Sequence, residues 1–168
     1  MAPLLSHTFR LTLPSETQIL LERAFPAPPE VLFDALTRPE HVRRWWNPFG
    51  GELSHCEADL RVGGVWRYVL AGPDGHTAAF HGTYQALDRP TRIQTTQVYE
   101  SAELGDPQSL VTLTLRALGS NRTLLSSLSD YPDVYSRDGH LHSGMEPGVV
   151  AVYNQLDTLL QQLFTHTV

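Results

Sequence analysis

The sequence predicts an α+β fold in which a curved antiparallel sheet of about seven strands wraps around one long C-terminal helix, with two short helices after the first strand. Three observations lead there. Apolar residues alternate with period two from residue 52 to about 131, turn-forming clusters interrupt that alternation at the spacing of a meander, and a stripe of helical period closes the chain. A sheet with one dry face needs a cover, and only the last helix is long enough to provide it.

Residues 17–25 are β-branched and apolar enough for the first strand, and Pro26-Ala-Pro-Pro29 stops it. Pro28 and Pro29 suit the first turn of a helix that carries Val31, Leu32, Ala35 and Leu36 at helical spacing. Thr37-Arg-Pro39 breaks it, and Glu40 to Trp46 reads as a second short helix with Val42, Trp45 and Trp46 inward. Six further strands are expected at 53–60, 64–71, 77–87, 92–101, 109–118 and 122–129. Between them stand turns such as Gly72-Pro-Asp-Gly75 and Gly119-Ser-Asn121. Inward sets are Trp66, Tyr68 and Leu70, then Phe80, Gly82 and Tyr84, then Val111, Leu113 and Leu115. Pro132 to His142 reads as a loop. The final helix is expected to begin with a Ser143–Glu146 capping box or with Glu146 capping Pro147, and its stripe runs from Val149 through Val152, Tyr153, Leu156 and Leu160 to Leu163.

The 168 residues fit a single domain with a core of about 17–164 and an N-terminal extension, 1–14. A net charge of −6, with every cation an Arg, argues against non-specific binding to nucleic acid or to an anionic membrane. No secretory pattern opens the chain and no run is long enough to insert stably in a bilayer. The single Cys56 allows no internal disulfide. The expected location is the cytoplasm.

Ala27-Pro-Pro-Glu-Val-Leu-Phe33, Thr37-Arg-Pro-Glu40, Arg44-Trp-Trp46, Asp59-Leu-Arg-Val-Gly-Gly64, Gly72-Pro-Asp-Gly75, Gly82-Thr-Tyr84 and Leu156-Asp-Thr-Leu159 together resemble the SRPBCC (START-like) superfamily. More narrowly they are similar to its branch related to the activator of heat-shock-protein-90 ATPase. The resemblance covers about residues 17–164 and implies a helix-grip fold with an apolar cavity that different relatives use for lipids, polyketides, hormones or other small molecules. It does not imply one reaction. Relatives usually carry Gly-Trp early in the last helix, whereas Gly148 is followed here by Val149, which leaves more room at the cavity wall.

The candidate ligand-binding residues are Trp45, Trp46, Phe49, Trp66, Tyr68, Phe80, Tyr84, Gln97, Tyr99 and Tyr153, a set of apolar rings with a few polar tips. Core packing is the competing explanation for each of them singly. His140-Leu-His142, with Asp138 and Glu146 nearby, lacks a secured third ligand, so the pair reads as loop histidines near the pocket mouth, His76 and His81 are likewise not read as ligands, and no metal and no cofactor is expected. Cys56 and His55 alternate across a strand and cannot pair, and without Lys there is no Schiff base. Acid–base chemistry would have to come from Glu22, Arg23, Tyr68, Tyr84, Asp130 or Tyr135. Three functions follow: a binding protein for a hydrophobic small molecule or lipid, which is preferred, an enzyme of cyclase or dehydratase type, and a chaperone-associated or stress-related interaction module. Neither a chaperone contact nor a homodimer is fixed by the sequence.

Overall fold

The structure, a computed structural model, describes residues 9–166. In chain order the elements are β1 (Arg10–Thr12), β2 (Gln18–Phe25), α1 (Pro29–Thr37), α2 (Pro39–Trp45), β3 (His55–Ala58), β4 (Val65–Ala71), β5 (Thr77–Asp88), β6 (Arg92–Tyr99), β7 (Gln108–Ala117), β8 (Thr123–Asp130), α3 (Val134–Leu141) and α4 (Met145–His166). The eight strands form one sheet in the order β1-β2-β8-β7-β6-β5-β4-β3. Every neighbouring pair is antiparallel, so each strand turns one side-chain set toward α4.

Local chemistry sets the element boundaries. Pro28 is the N-cap of α1 and Pro29 its first residue, where a missing N–H costs nothing. Arg38 ends α1 and caps α2 in an extended conformation, the one a residue preceding proline prefers. The indole of Trp45 donates to the carbonyl of Ala35 at 2.9 Å and holds the two short helices together. Gly82 has no room for a side chain, because a Cβ would collide with the Thr96 carbonyl oxygen and with the Trp66 indole.

The helix and the sheet are joined by packing and by one buried charge pair. Phe25, Leu32, Val42, Leu156 and Leu160 are each 0% exposed and fill the space where α1 and α2 meet the C-terminal half of α4. Arg23 on β2 meets Asp157 on α4 at 3.1 Å, donates to Asn154 at 2.8 Å and lies 5.2 Å from the centre of the Phe25 ring. Both charges are buried, so each depends on the other to offset its desolvation.

Three features depart from the sequence reading. The expected seven strands are eight, because residues 10–12 of the supposed extension pair with β2, Arg10 opposite Glu22 and Thr12 opposite Leu20. The expected loop 132–142 contains α3, capped by the Asp133 carboxylate, which accepts from the Ser136 amide at 2.7 Å. No capping box opens α4: the Ser143 hydroxyl donates instead to the His140 carbonyl at 2.6 Å, and the helix begins at Met145 after Gly144 turns left-handed at φ +84°.

Candidate ligand cavity

Between the inner face of the sheet and the N-terminal half of α4 lies a cavity of about 300 Å³. Its existence follows from side-chain size along the helix. Gly148, Val149 and Val152 form the roof there, all short of the reach needed to fill the concave sheet opposite. A Cβ placed on Gly148 would meet only Pro48, at 3.9 Å.

Eight of the ten predicted residues line this space: Trp45, Trp46, Trp66, Tyr68, Phe80, Tyr84, Gln97 and Tyr153. The aromatic members brace one another edge to face, Trp46 lying 5.0 Å from Phe80 and 5.3 Å from Tyr68 between ring centres. The other two are placed elsewhere. Phe49 stands in the loop after α2 with its ring 62% exposed, because Asn47 folds that loop outward by accepting from the Phe49 amide at 3.0 Å. Tyr99 has the inward parity, but it ends its strand and stacks behind Phe80 at 5.2 Å.

Polar side-chain groups of the wall residues are hydroxyls, indole N–H groups, one carboxamide and one imidazole. The Trp66 indole donates to Thr95 Oγ1 at 2.7 Å, and that hydroxyl in turn has the Thr83 and Thr96 carbonyls within reach. The Tyr68 and Tyr84 hydroxyls are neighbours, as are those of Tyr153 and Ser127. Burial pushes the phenols of Tyr84 and Tyr153 up to about 12 and that of Tyr68 further, so all three stay neutral and serve as hydrogen-bond donors or acceptors. His140 also faces the cavity, with Nδ1 bonded to the Tyr131 hydroxyl, and burial lowers its pKa so that the neutral ring is favoured.

No Asp, Glu, Lys or Arg is among the described residues of the wall. Of the acid–base candidates only Tyr68 and Tyr84 reach it. Glu22 is on the opposite face of β2 beside Ser126, Arg23 is engaged with Asp157, Asp130 is exposed, and Tyr135 is 89% exposed. Cys56 is buried with its thiol pushed up to about 11 by desolvation, which removes it as a nucleophile. No group of three metal-ligating side chains occurs among the described residues. His81 bonds Glu100 at 2.9 Å, while His76 contacts Asp74 at 2.8 Å in an exposed turn.

The model of the family described as activator of Hsp90 ATPase homolog 1-like protein matches residues 26–161. The chain belongs to this family. Among solved structures, a protein of Rhodobacter sphaeroides is similar at 29% identity and TM-score 0.83, over 93% of this chain and 99% of its own. A protein of Nitrosomonas europaea shares the fold at 23% identity and TM-score 0.78, with 91% and 99% covered. CalU16 from Micromonospora echinospora shares it at 22% identity and TM-score 0.59, with 95% and 91% covered. Among curated proteins none matches. No helix of the described residues is long and apolar enough to cross a membrane.

The sequence reading placed His140 near the pocket mouth rather than in its wall and missed Ser127 and Ser129. His140 was placed in a loop, whereas α3 turns its ring inward. Ser127 and Ser129 were hidden because Thr123 to Asp130 mixes Leu and Ser on both faces; the pairing of Ser127 with Leu113 and Ser129 with Val111 settles that they face the cavity.

Proposed function

We propose that this member of the activator of Hsp90 ATPase homolog 1-like family binds a hydrophobic small molecule or lipid in the space beneath the N-terminal half of α4. The observation that carries this reading is a cavity of about 300 Å³ walled by aromatic rings, with polar tips at intervals and no charged side chain. That volume is at the lower end of the roughly 300–1,000 Å³ of small-molecule sites, and the mixture of rings and few polar groups is theirs as well. An apolar cavity left empty forfeits dispersion contacts, which an apolar occupant restores.

Cyclase or dehydratase chemistry finds less support, since the described wall offers phenols held neutral and a neutral imidazole but no carboxylate. The family description raises a contact with the Hsp90 ATPase as a second reading for this chain. It would use an outer surface and leave the cavity's role intact.

Native mass spectrometry of the protein purified from its own host tests the proposal. A non-covalent hydrophobic adduct, together with a melting temperature that rises when the same compound is added back, is the expected result. A bare chain whose melting temperature ignores a panel of fatty acids and substituted naphthalenes contradicts it.

A further inference from the structure

The cavity wall is uncharged, and its hydrogen-bonding groups are not equally occupied. Thr95 is engaged by Trp66 and by backbone carbonyls, while the hydroxyl of Tyr68 has Tyr84 as a neighbour and that of Tyr153 has Ser127. Two groups differ. The Gln97 carboxamide, carried inward on β6, makes no side-chain hydrogen bond to another described residue. His140 uses Nδ1 for Tyr131, which leaves Nε2 without a bond to another described residue.

The neutral His140 ring offers a donor or an acceptor at Nε2, complementary to its role toward Tyr131. The Tyr131 phenol is bonded to His140 Nδ1. When the phenol donates to Nδ1, the neutral ring must carry its proton on Nε2, so the atom remaining is a donor. Gln97 supplies both a donor and an acceptor. Tyr131 continues β8 at the level where Ser109 of β7 faces Gln97, two strands away, or about 10 Å at the usual strand spacing. Both groups therefore stand at the same end of the sheet, on its inner face.

From this arrangement we infer that the cavity is selective for an uncharged, largely apolar molecule bearing a carbonyl or hydroxyl, and that Gln97 and His140 are the residues that recognise that polar group. The inference rests on the binding function proposed above and adds the chemical class of the ligand. A carboxylate or ammonium entering the same space would lose its hydration with no opposite charge in the wall to replace it. The buried charges are engaged outside the wall: Arg23 and Asp157 neutralise each other, and Arg137 on α3 is held by Asp138 and by the Ser15 and Gln18 carbonyls. A neutral carbonyl gives up far less water and gains the donor of Gln97 and, with the proton on Nε2, that of His140.

Three naphthalenes of similar size separate these terms by calorimetric titration at pH 7.5: 2-acetylnaphthalene, which is neutral with a carbonyl, 2-ethylnaphthalene, which is neutral without one, and 2-naphthoate, an anion. The expected order is acetyl above ethyl by about fivefold and above naphthoate by tenfold or more. Gln97→Leu is expected to reduce the advantage of acetyl over ethyl about twofold, and His140→Phe to do the same. Gln97 is half-buried, so its variant keeps the test intact if His140→Phe lowers the melting temperature. Equal binding of naphthoate and acetylnaphthalene, or an unchanged preference in Gln97→Leu, overturns the inference and leaves hydrophobic binding standing. Failure of all three to bind overturns both.

Discussion

The two halves of α4 meet the same sheet with opposite results. In the C-terminal half Leu156, Leu159 and Leu160 are between 0% and 3% exposed and pack solidly against α1, α2 and β2, with the Arg23–Asp157 pair beside them. In the N-terminal half Gly148, Val149 and Val152 are only half-buried and roof a cavity. One helix is thus a core element at one end and a pocket wall at the other, and side-chain reach makes the difference. Stability and ligand binding should therefore respond to mutation at different ends.

Asp157→Ala should have the largest effect, about 3–5 kcal/mol in denaturant unfolding, because it strands the buried Arg23 guanidinium without its counter-charge. Leu156→Ala should follow at about 2–5 kcal/mol, since a fully buried leucine leaves a void that its neighbours cannot close. Val149→Ala should cost about 1 kcal/mol and leave probe binding in place, because its side chain already borders open space. If Val149→Ala proved as damaging as Leu156→Ala, the contrast between the halves would disappear.

Two pH effects sharpen the same contrast. Tyr84 and Tyr153 have folded pKa values of about 12, raised by burial above the ordinary 10, so the unfolded chain loses these protons first. Their contribution is fully present below pH 10 and is lost as the pH rises toward 12, so melting temperature should fall across that window. Phenylalanine at both positions should flatten the fall. A smaller effect belongs to Glu100 on the outer face of the sheet, where hydrogen bonds from Arg67 and His81 hold its carboxyl at about 2. That contribution is present above pH 4.5 and disappears as the pH falls toward 2. Glu100→Gln should remove a shallow acid-side slope and leave neutral stability nearly unchanged, because the ion pair is surface-exposed.

The fold was legible wherever one face is dry over several residues. Trp66, Tyr68 and Leu70 alternate with Val65, Arg67 and Val69, and the buried–exposed pattern of β4 follows that alternation. β1 was not legible because three residues give no period, and the five residues between it and β2 carry no tight two-residue hairpin turn that would announce the pairing. α3 was hidden by Ser136 and Gly139, which favour turns, although Asp133 three residues before Ser136 was the cap signal that could have revealed it. Among the site residues, strand parity placed Gln97 and Tyr84 correctly. It had no purchase on Phe49, whose loop carries no period, and it took Tyr99 one step too far along its strand. His140 needed the geometry of α3, a tertiary fact that local sequence does not contain.

The central claim is that space, rather than packed side chain, lies under Val149. Val149→Trp grows an indole into that space, and comparing its 2-acetylnaphthalene titration and melting temperature with the wild type tests the claim directly. The account predicts that wild type binds, that Val149→Trp does not, and that the variant melts at the same temperature or higher because a void has been filled. A variant that melts well below wild type, as an overpacked core does, beside a wild type that takes up no probe, would contradict it.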